Sequence, residues 1–98
     1  MSEAVLYRFD DGQVVRTVTA SIQEHGSLRV YRQDIGEVLE RDWGDADYER
    51  WITIPAEHKD AVLLLLLEER FKGRADAVDE LRALLEARGI SCELMAWT

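Results

Sequence analysis

The chain has 98 residues, of which 47% are hydrophobic and 33% are charged, and its formal net charge is −8. This length allows one domain with a single core, so we predict a single domain over residues 1–98. Because an acidic chain is repelled by phosphate backbones, the charge disfavours general nucleic-acid binding.

Cysteine content and the first residues bear on the cellular compartment. The single cysteine, Cys92, excludes an intramolecular disulfide and a cysteine-based zinc cluster. The chain starts Met-Ser-Glu, without the basic region and apolar stretch of a secretory signal. We therefore expect a cytoplasmic protein.

Three segments near the start of the chain have the composition of β-strands. Residues 5–9, 13–22 and 28–33 are rich in Val, Thr and aromatic side chains, which favour strands. The Asp-Asp-Gly sequence at residues 10–12 is typical of a hairpin turn between the first two. These segments predict an antiparallel meander.

Negative charge is concentrated in the segment that follows. Residues 34–50 contain seven acids and two arginines, which gives a local net charge of −5. We predict an irregular, solvated connection over most of residues 34–47. Residues 48–54 then have strand composition and are followed by Pro55, which cannot donate to a continuing strand ladder.

Seven consecutive apolar residues, Ala-Val followed by five Leu, occupy positions 61–67. A membrane span needs about 20 such residues, so this run is too short. Leu favours helix, and a helix that is apolar all round is normally buried. We predict a central core helix from Pro55 or Ala56 to about Lys72, and a second, amphipathic helix over residues 75–88.

The last segment, residues 90–97, is predicted to be a strand with Ile90, Cys92, Leu94 and Ala96 on one face. The predicted order is therefore β-β-β-β-α-α-β. It indicates an α+β fold with an antiparallel sheet of about five strands and two helices packed on one face.

No set of residues in the sequence points to catalysis. The two histidines, His25 and His58, have no partner at useful spacing, and Cys92 is predicted to face the core as an inert thiol. The acids at 42, 45, 47 and 49 could bind a hard cation, but their spacing is not that of an EF-hand loop. We predict no catalytic residues, no metal site and no cofactor.

Two tryptophans and a methionine are predicted to face away from the helices. If Ile52 faces the helices, strand alternation sends Trp51 to the opposite face, and the same rule applies to Met95 and Trp97. An exposed apolar patch of this kind is typical of an interface. The alternative is that the connection at 34–47 covers one Trp, or that the two faces are inverted.

Three arginines interrupt otherwise apolar strand faces: Arg16, Arg32 and Arg50. A buried charge without a partner is costly, so each must reach water or an acid. They either form salt bridges with the acidic segment or converge on a shared anion pocket.

These observations favour a small, acidic interaction module without catalytic activity. Its partner would be a second copy of the chain, as in a homodimer, or a basic protein, and neither nucleic acid nor a membrane is expected. The alternative is a small-molecule anion-binding protein or minor enzyme that uses Arg16, Arg32 and Arg50. In that case His58 or an acid from residues 42–49 would be the general base.

Overall fold

Four strands form one antiparallel sheet in the computed structural model, which describes residues 3–36 and 47–97. The strands are β1 (Glu3–Asp10), β2 (Val14–Ile22), β3 (Leu28–Gly36) and β4 (Asp47–Ile54). Each strand pairs with the next one in the chain. The predicted meander and fourth strand are confirmed, whereas the predicted connection falls mainly on residues 37–46, outside the described residues.

The β1–β2 turn is built by two aspartates. The Asp10 carboxylate accepts a hydrogen bond from the backbone N–H of Gly12 at 2.9 Å. Asp11 accepts hydrogen bonds from the N–H groups of Gln13 and Val14, both at 2.8 Å. Gly12 has φ +85°, a left-handed conformation that favours glycine. These bonds explain why the Asp-Asp-Gly sequence marks the hairpin.

The strand register defines two faces of the sheet. Pairing is unbroken between β2 and β3 and between β3 and β4, and its one shift lies between Val5 and Tyr7 of β1. Directly paired residues share a face, and successive residues of a strand alternate between faces. We call the two sides the Asp34 face and the Trp51 face.

Two helices follow the sheet. A 3₁₀ turn (Ala56–His58) leads into α1 (Lys59–Phe71), and α2 (Ala77–Ala87) comes next. The glycines after the two helices, Gly73 and Gly89, have φ of +80° and +70°, as in common helix C-terminal caps. Both predicted helices are confirmed, and so is the α+β class.

The last part of the chain differs from the prediction. Residues 90–97 have no regular secondary structure, so the described sheet has four strands rather than about five. A face of apolar side chains at every second residue is only half of what a strand needs. Its backbone N–H and C=O groups also require a neighbouring strand, and no strand of the described sheet pairs with this segment.

The chain divides into two compact units, Met1–Val62 and Leu63–Thr98, and α1 contains the boundary. Among the described residues, the buried ones are Val14 and Asp34. No residue of α1 or α2 is buried. Within the described parts of the chain, no helix is long and apolar enough to cross a membrane.

Candidate functional site

A buried carboxylate organises the polar centre of the Asp34 face. The guanidinium of Arg32 donates two hydrogen bonds to Asp34, from Nε to Oδ1 at 3.1 Å and from Nη2 to Oδ2 at 2.9 Å. The Nε atom of Arg16 lies 3.5 Å from Oδ2 of the same carboxylate. Arg32 precedes Asp34 by two residues on β3, and Arg16 on β2 is paired directly with Asp34. Strand geometry therefore places both guanidiniums beside Asp34.

The three side chains differ in their access to solvent. The Asp34 side chain is 5% exposed, whereas those of Arg16 and Arg32 are 43% and 44% exposed. The hydrogen bond to Asp34, followed by the negative charge of Asp34, raises the pKa of Arg32 above its usual value. The Phe9 ring lies 5.8 Å from the Arg16 guanidinium carbon and supports that side chain on the same face.

Arg50 completes the predicted set of three arginines. It pairs directly with Arg32 across β3 and β4, so it also lies on the Asp34 face. The structure therefore brings Arg16, Arg32 and Arg50 to one face. Arg16 and Arg32 form the salt bridges that were one of the two alternatives, because they share Asp34. No carboxylate among the described residues forms an ion pair with Arg50.

Two neighbouring hollows open on this face. One has a volume of about 230 Å³ and is lined by Tyr7, Arg16, Val18 and Arg32. The other has a volume of about 300 Å³ and is lined by Arg50, Ile52, Val30 and again Val18 and Arg32, together with Tyr31 and Trp51, whose strand positions belong to the opposite face. The shared residues make the two hollows neighbours, with guanidinium groups in both linings and aliphatic side chains beside them.

The acids nearest in sequence to Arg50 lie on the other side of the sheet. Asp47 pairs with Ile35 and Glu49 with Gln33, positions that alternate with Asp34 and Arg32. Strand alternation therefore places both carboxylates on the opposite face from the three arginines, and their role as general bases stays a prediction. The other two acids considered, at positions 42 and 45, lie outside the described residues.

His58, the other residue considered as a general base, forms no ion pair with Asp34 among the described residues. The ring of His58 is 65% exposed, and its Nε2 atom lies 4.0 Å from Oε1 of Glu57. Its role as a general base stays a prediction without a structural contact to support it.

Trp51 belongs to an aromatic and arginine cluster on the opposite face. Its ring centroid lies 6.0 Å from that of Tyr31, with an interplanar angle of 32°. The Arg29 guanidinium carbon lies 4.7 Å from the Tyr31 centroid and 4.8 Å from the Trp51 centroid. Desolvation, followed by a hydrogen bond to Glu49, raises the pKa of Tyr31 above 10.0. Trp51 was predicted from the sequence as an interface residue, but the position of Arg29 beside it depends on strand register.

Met95 and Trp97, the other predicted interface residues, lie in the irregular segment 90–97 and not on a strand. They are 85% and 99% exposed. Cys92 is exposed as well, which corrects the prediction of a buried thiol. That prediction depended on a strand face, and the segment has none.

An extended apolar surface lies on α1. The side chains of Leu63, Leu64, Leu65 and Leu66 are all more than half exposed. Successive residues of an α-helix are about 100° apart, so four in a row point around most of its circumference. Burial of such a helix requires neighbours on more than one side.

Within the described part of the chain, no group of three or more His, Cys, Asp or Glu side chains is arranged to hold a metal ion. No protein-family model matches the chain, and neither a curated protein nor a solved structure matches it.

Proposed function

We propose that this protein is a non-catalytic interaction module that self-associates as a homodimer through the leucine-rich surface of α1. The observation that carries the proposal is the exposure of Leu63 to Leu66 in a helix without a single buried residue. Soluble proteins rarely leave such apolar surface open to water, and where they do it is typical of an interface.

A second copy fits this surface better than a basic protein does. The sequence from Ala61 to Leu67 contains no charged residue, so it offers nothing that specifically attracts a positive partner. Two identical apolar helices are complementary to each other around a two-fold axis, and most soluble oligomers are symmetric homomers. Helix pairs that associate in this way form a bundle with a shared apolar core.

The fuller architecture predicted from the sequence is part of the same proposal. It has a fifth strand over residues 90–97 and both helices packed on one face of the sheet, which in the inverted alternative given above is the Trp51 face. Association would supply the backbone neighbour that a strand over residues 90–97 requires. Backbone amides of these residues would then exchange slowly in the dimer and rapidly in a dissociated variant.

The experiment is size-exclusion chromatography with light scattering over a range of protein concentrations. We expect the wild-type protein to have twice the mass of the chain and Leu64→Glu to have the mass of a monomer. Leu6→Glu is the matched control, because Leu6 is 59% exposed on β1 and Leu64 is 69% exposed on α1. The control should remain a dimer.

Two results would contradict the proposal. One is a wild-type protein that stays monomeric at every concentration. The other is a dimer that survives Leu64→Glu and is disrupted instead by Trp51→Ala or Trp97→Ala, which would place the interface on the predicted tryptophan residues. A complex with a basic protein would differ again, since moderate salt would weaken it.

A further inference from the structure

We infer that the Asp34 face binds a small organic anion, in which a carboxylate or phosphate group contacts Arg50 and Arg32 and a short apolar body lies on the neighbouring aliphatic side chains. The residues of this binding site belong to the sheet and not to the leucine-rich surface of α1, so the inference rests on other observations than self-association does.

The Asp34 face carries an excess of positive charge. Arg16, Arg32 and Arg50 share a face with one carboxylate that pairs with two of them, Asp34. Counting these four side chains gives a local charge of +2 in a chain whose net charge is −8. Like charges placed directly opposite on neighbouring strands are unfavourable, and Arg32 and Arg50 are such a pair. A bound anion between them would remove the repulsion.

The arginines on this face have N–H donors that Asp34 does not use. A guanidinium has five N–H donors, and Asp34 receives two hydrogen bonds from Arg32. Three donors of Arg32 are therefore not used by Asp34, and no described carboxylate pairs with Arg50. The Nε atom of Arg16 is buried without a hydrogen-bond partner. Guanidinium donors match carboxylate and phosphate oxygens in a bidentate geometry.

The size and lining of the two hollows indicate what kind of ligand they can hold. The 230 Å³ hollow is below the roughly 300–1,000 Å³ typical of pockets for drug-sized ligands. It suits a single anionic group with few other atoms. The adjacent hollow is lined by Val18, Val30 and Ile52, by Arg32 and Arg50, and by Tyr31 and Trp51. Its aliphatic residues can cover a short hydrocarbon body. Tyr7 also lines the first hollow, and a tyrosine hydroxyl can donate a hydrogen bond.

The experiment is calorimetric titration of the purified protein with two probes, inorganic phosphate and hexanoate, against sodium chloride of equal ionic strength. The two probes distinguish phosphate from carboxylate as the preferred group. We expect saturable binding of at least one of them. Arg50→Gln should weaken it about tenfold or more, because a charge-assisted contact is lost.

The matched control is Arg88→Gln, which removes the same charge from an exposed position after α2 and should bind as the wild type does. Circular dichroism checks that both variants are folded. Backbone amide signals of Val18, Arg32 and Arg50 should shift on titration of the wild-type protein in an NMR experiment. That measurement keeps the inference testable if Arg50→Gln does not fold.

The inference is overturned if neither probe shows saturable binding beyond the chloride control, or if folded Arg50→Gln binds as tightly as the wild type. Binding should be retained by Leu64→Glu, the variant that tests self-association. Loss of the dimer with retained anion binding, or the reverse, therefore separates failure of one proposal from failure of the other.

Discussion

Asp34 receives two hydrogen bonds from Arg32, the residue two positions before it on β3, and lies directly opposite Arg16 on β2. One buried carboxylate therefore links the two central strands and neutralises part of an arginine-rich face. The guanidiniums remain accessible to solvent, whereas the acid does not. Asp34 is therefore the central member of this group of three, because its loss removes the shared partner of both arginines.

We expect Asp34→Asn to lower the free energy of unfolding by about 2 kcal/mol, because it removes charge-assisted hydrogen bonds from a buried position. Urea denaturation measures this change. The control is Glu86→Gln, which breaks the exposed pair with Arg82 on α2 and should cost less than about 0.5 kcal/mol. Equal losses in the two variants would contradict the central role of Asp34. Phosphate should restore part of the stability of Asp34→Asn, since the variant leaves Arg16 and Arg32 without the acid that they share.

Asp11 should make the β1–β2 hairpin sensitive to acid. Hydrogen bonds from the N–H groups of Val14, first, and Gln13 lower the pKa of Asp11 below its ordinary value of 3.8. Because the pKa is lower in the folded state, Asp11 stabilises the fold at pH values above 3.8, the pKa in the unfolded state. This contribution is lost as the pH falls from 3.8 through the pKa of the folded state.

Thermal unfolding of the wild type and of Asp11→Ala between neutral and acidic pH tests this expectation. The difference in Tm between them should be constant near neutrality and shrink below pH 3.8. Glu24→Ala, in the next turn, is the control. A difference that does not change with pH would contradict the role of the Asp11 carboxylate.

Gly36 should tolerate no side chain. It ends β3 opposite Val14, and a Cβ atom there would overlap with the backbone carbonyl oxygen of Gln13. Because backbone atoms must move to make room, we expect Gly36→Ala to lower the free energy of unfolding by about 2 kcal/mol.

The control for Gly36→Ala is Gly73→Asn, after α1. A Cβ atom at Gly73 meets nothing within 4 Å, and Asn tolerates its left-handed backbone conformation. Denaturant unfolding of both variants should show the larger loss for Gly36→Ala. A larger loss for Gly73→Asn would show that backbone conformation, and not the close approach of the strands, dominates.

Tyr31 should titrate at higher pH than an ordinary tyrosine. Desolvation and then the hydrogen bond to Glu49 raise the pKa of Tyr31 above 10.0. A raised pKa in the folded state gives stability that is present below pH 10.0 and is lost as the pH rises through the folded value.

NMR titration of the tyrosine ring signals measures this pKa, and Glu49→Gln should move it back toward 10.0. Glu3→Gln, on the edge strand β1, is the control and should leave the pKa of Tyr31 unchanged. If Glu49→Gln has no effect, the hydrogen bond does not contribute to the shift.

Local pattern predicted much of the secondary structure. Strands β1 to β4 follow from β-branched and aromatic composition, and the first turn follows from the Asp10 and Asp11 side chains, which hydrogen-bond to backbone groups two or three residues away. Both helices follow from composition and from glycine at their ends. These features depend on contacts between residues close in sequence, which is why the sequence is sufficient to predict them.

The candidate site was only partly predictable. Alternation placed Arg16, Arg32 and Arg50 on apolar strand faces, but the choice of Asp34 as their acid depends on which β3 residue lies opposite Arg16. The stacking of Arg29 on Trp51 likewise requires the register of β3 against β4. Register is fixed by the pairing of whole strands, which no single segment encodes.

By itself, then, the sequence determined the strands, the helices, the hairpin turn and the alternation of residues along each strand. Only the tertiary structure decided that three arginines share one face, that one buried aspartate pairs with two of them, and that residues 90–97 have no regular secondary structure. The physical reason is that backbone and side-chain preferences act over a few residues. Ion pairs across strands, and the hydrogen bonds of a strand at an edge, instead depend on segments far apart in the chain.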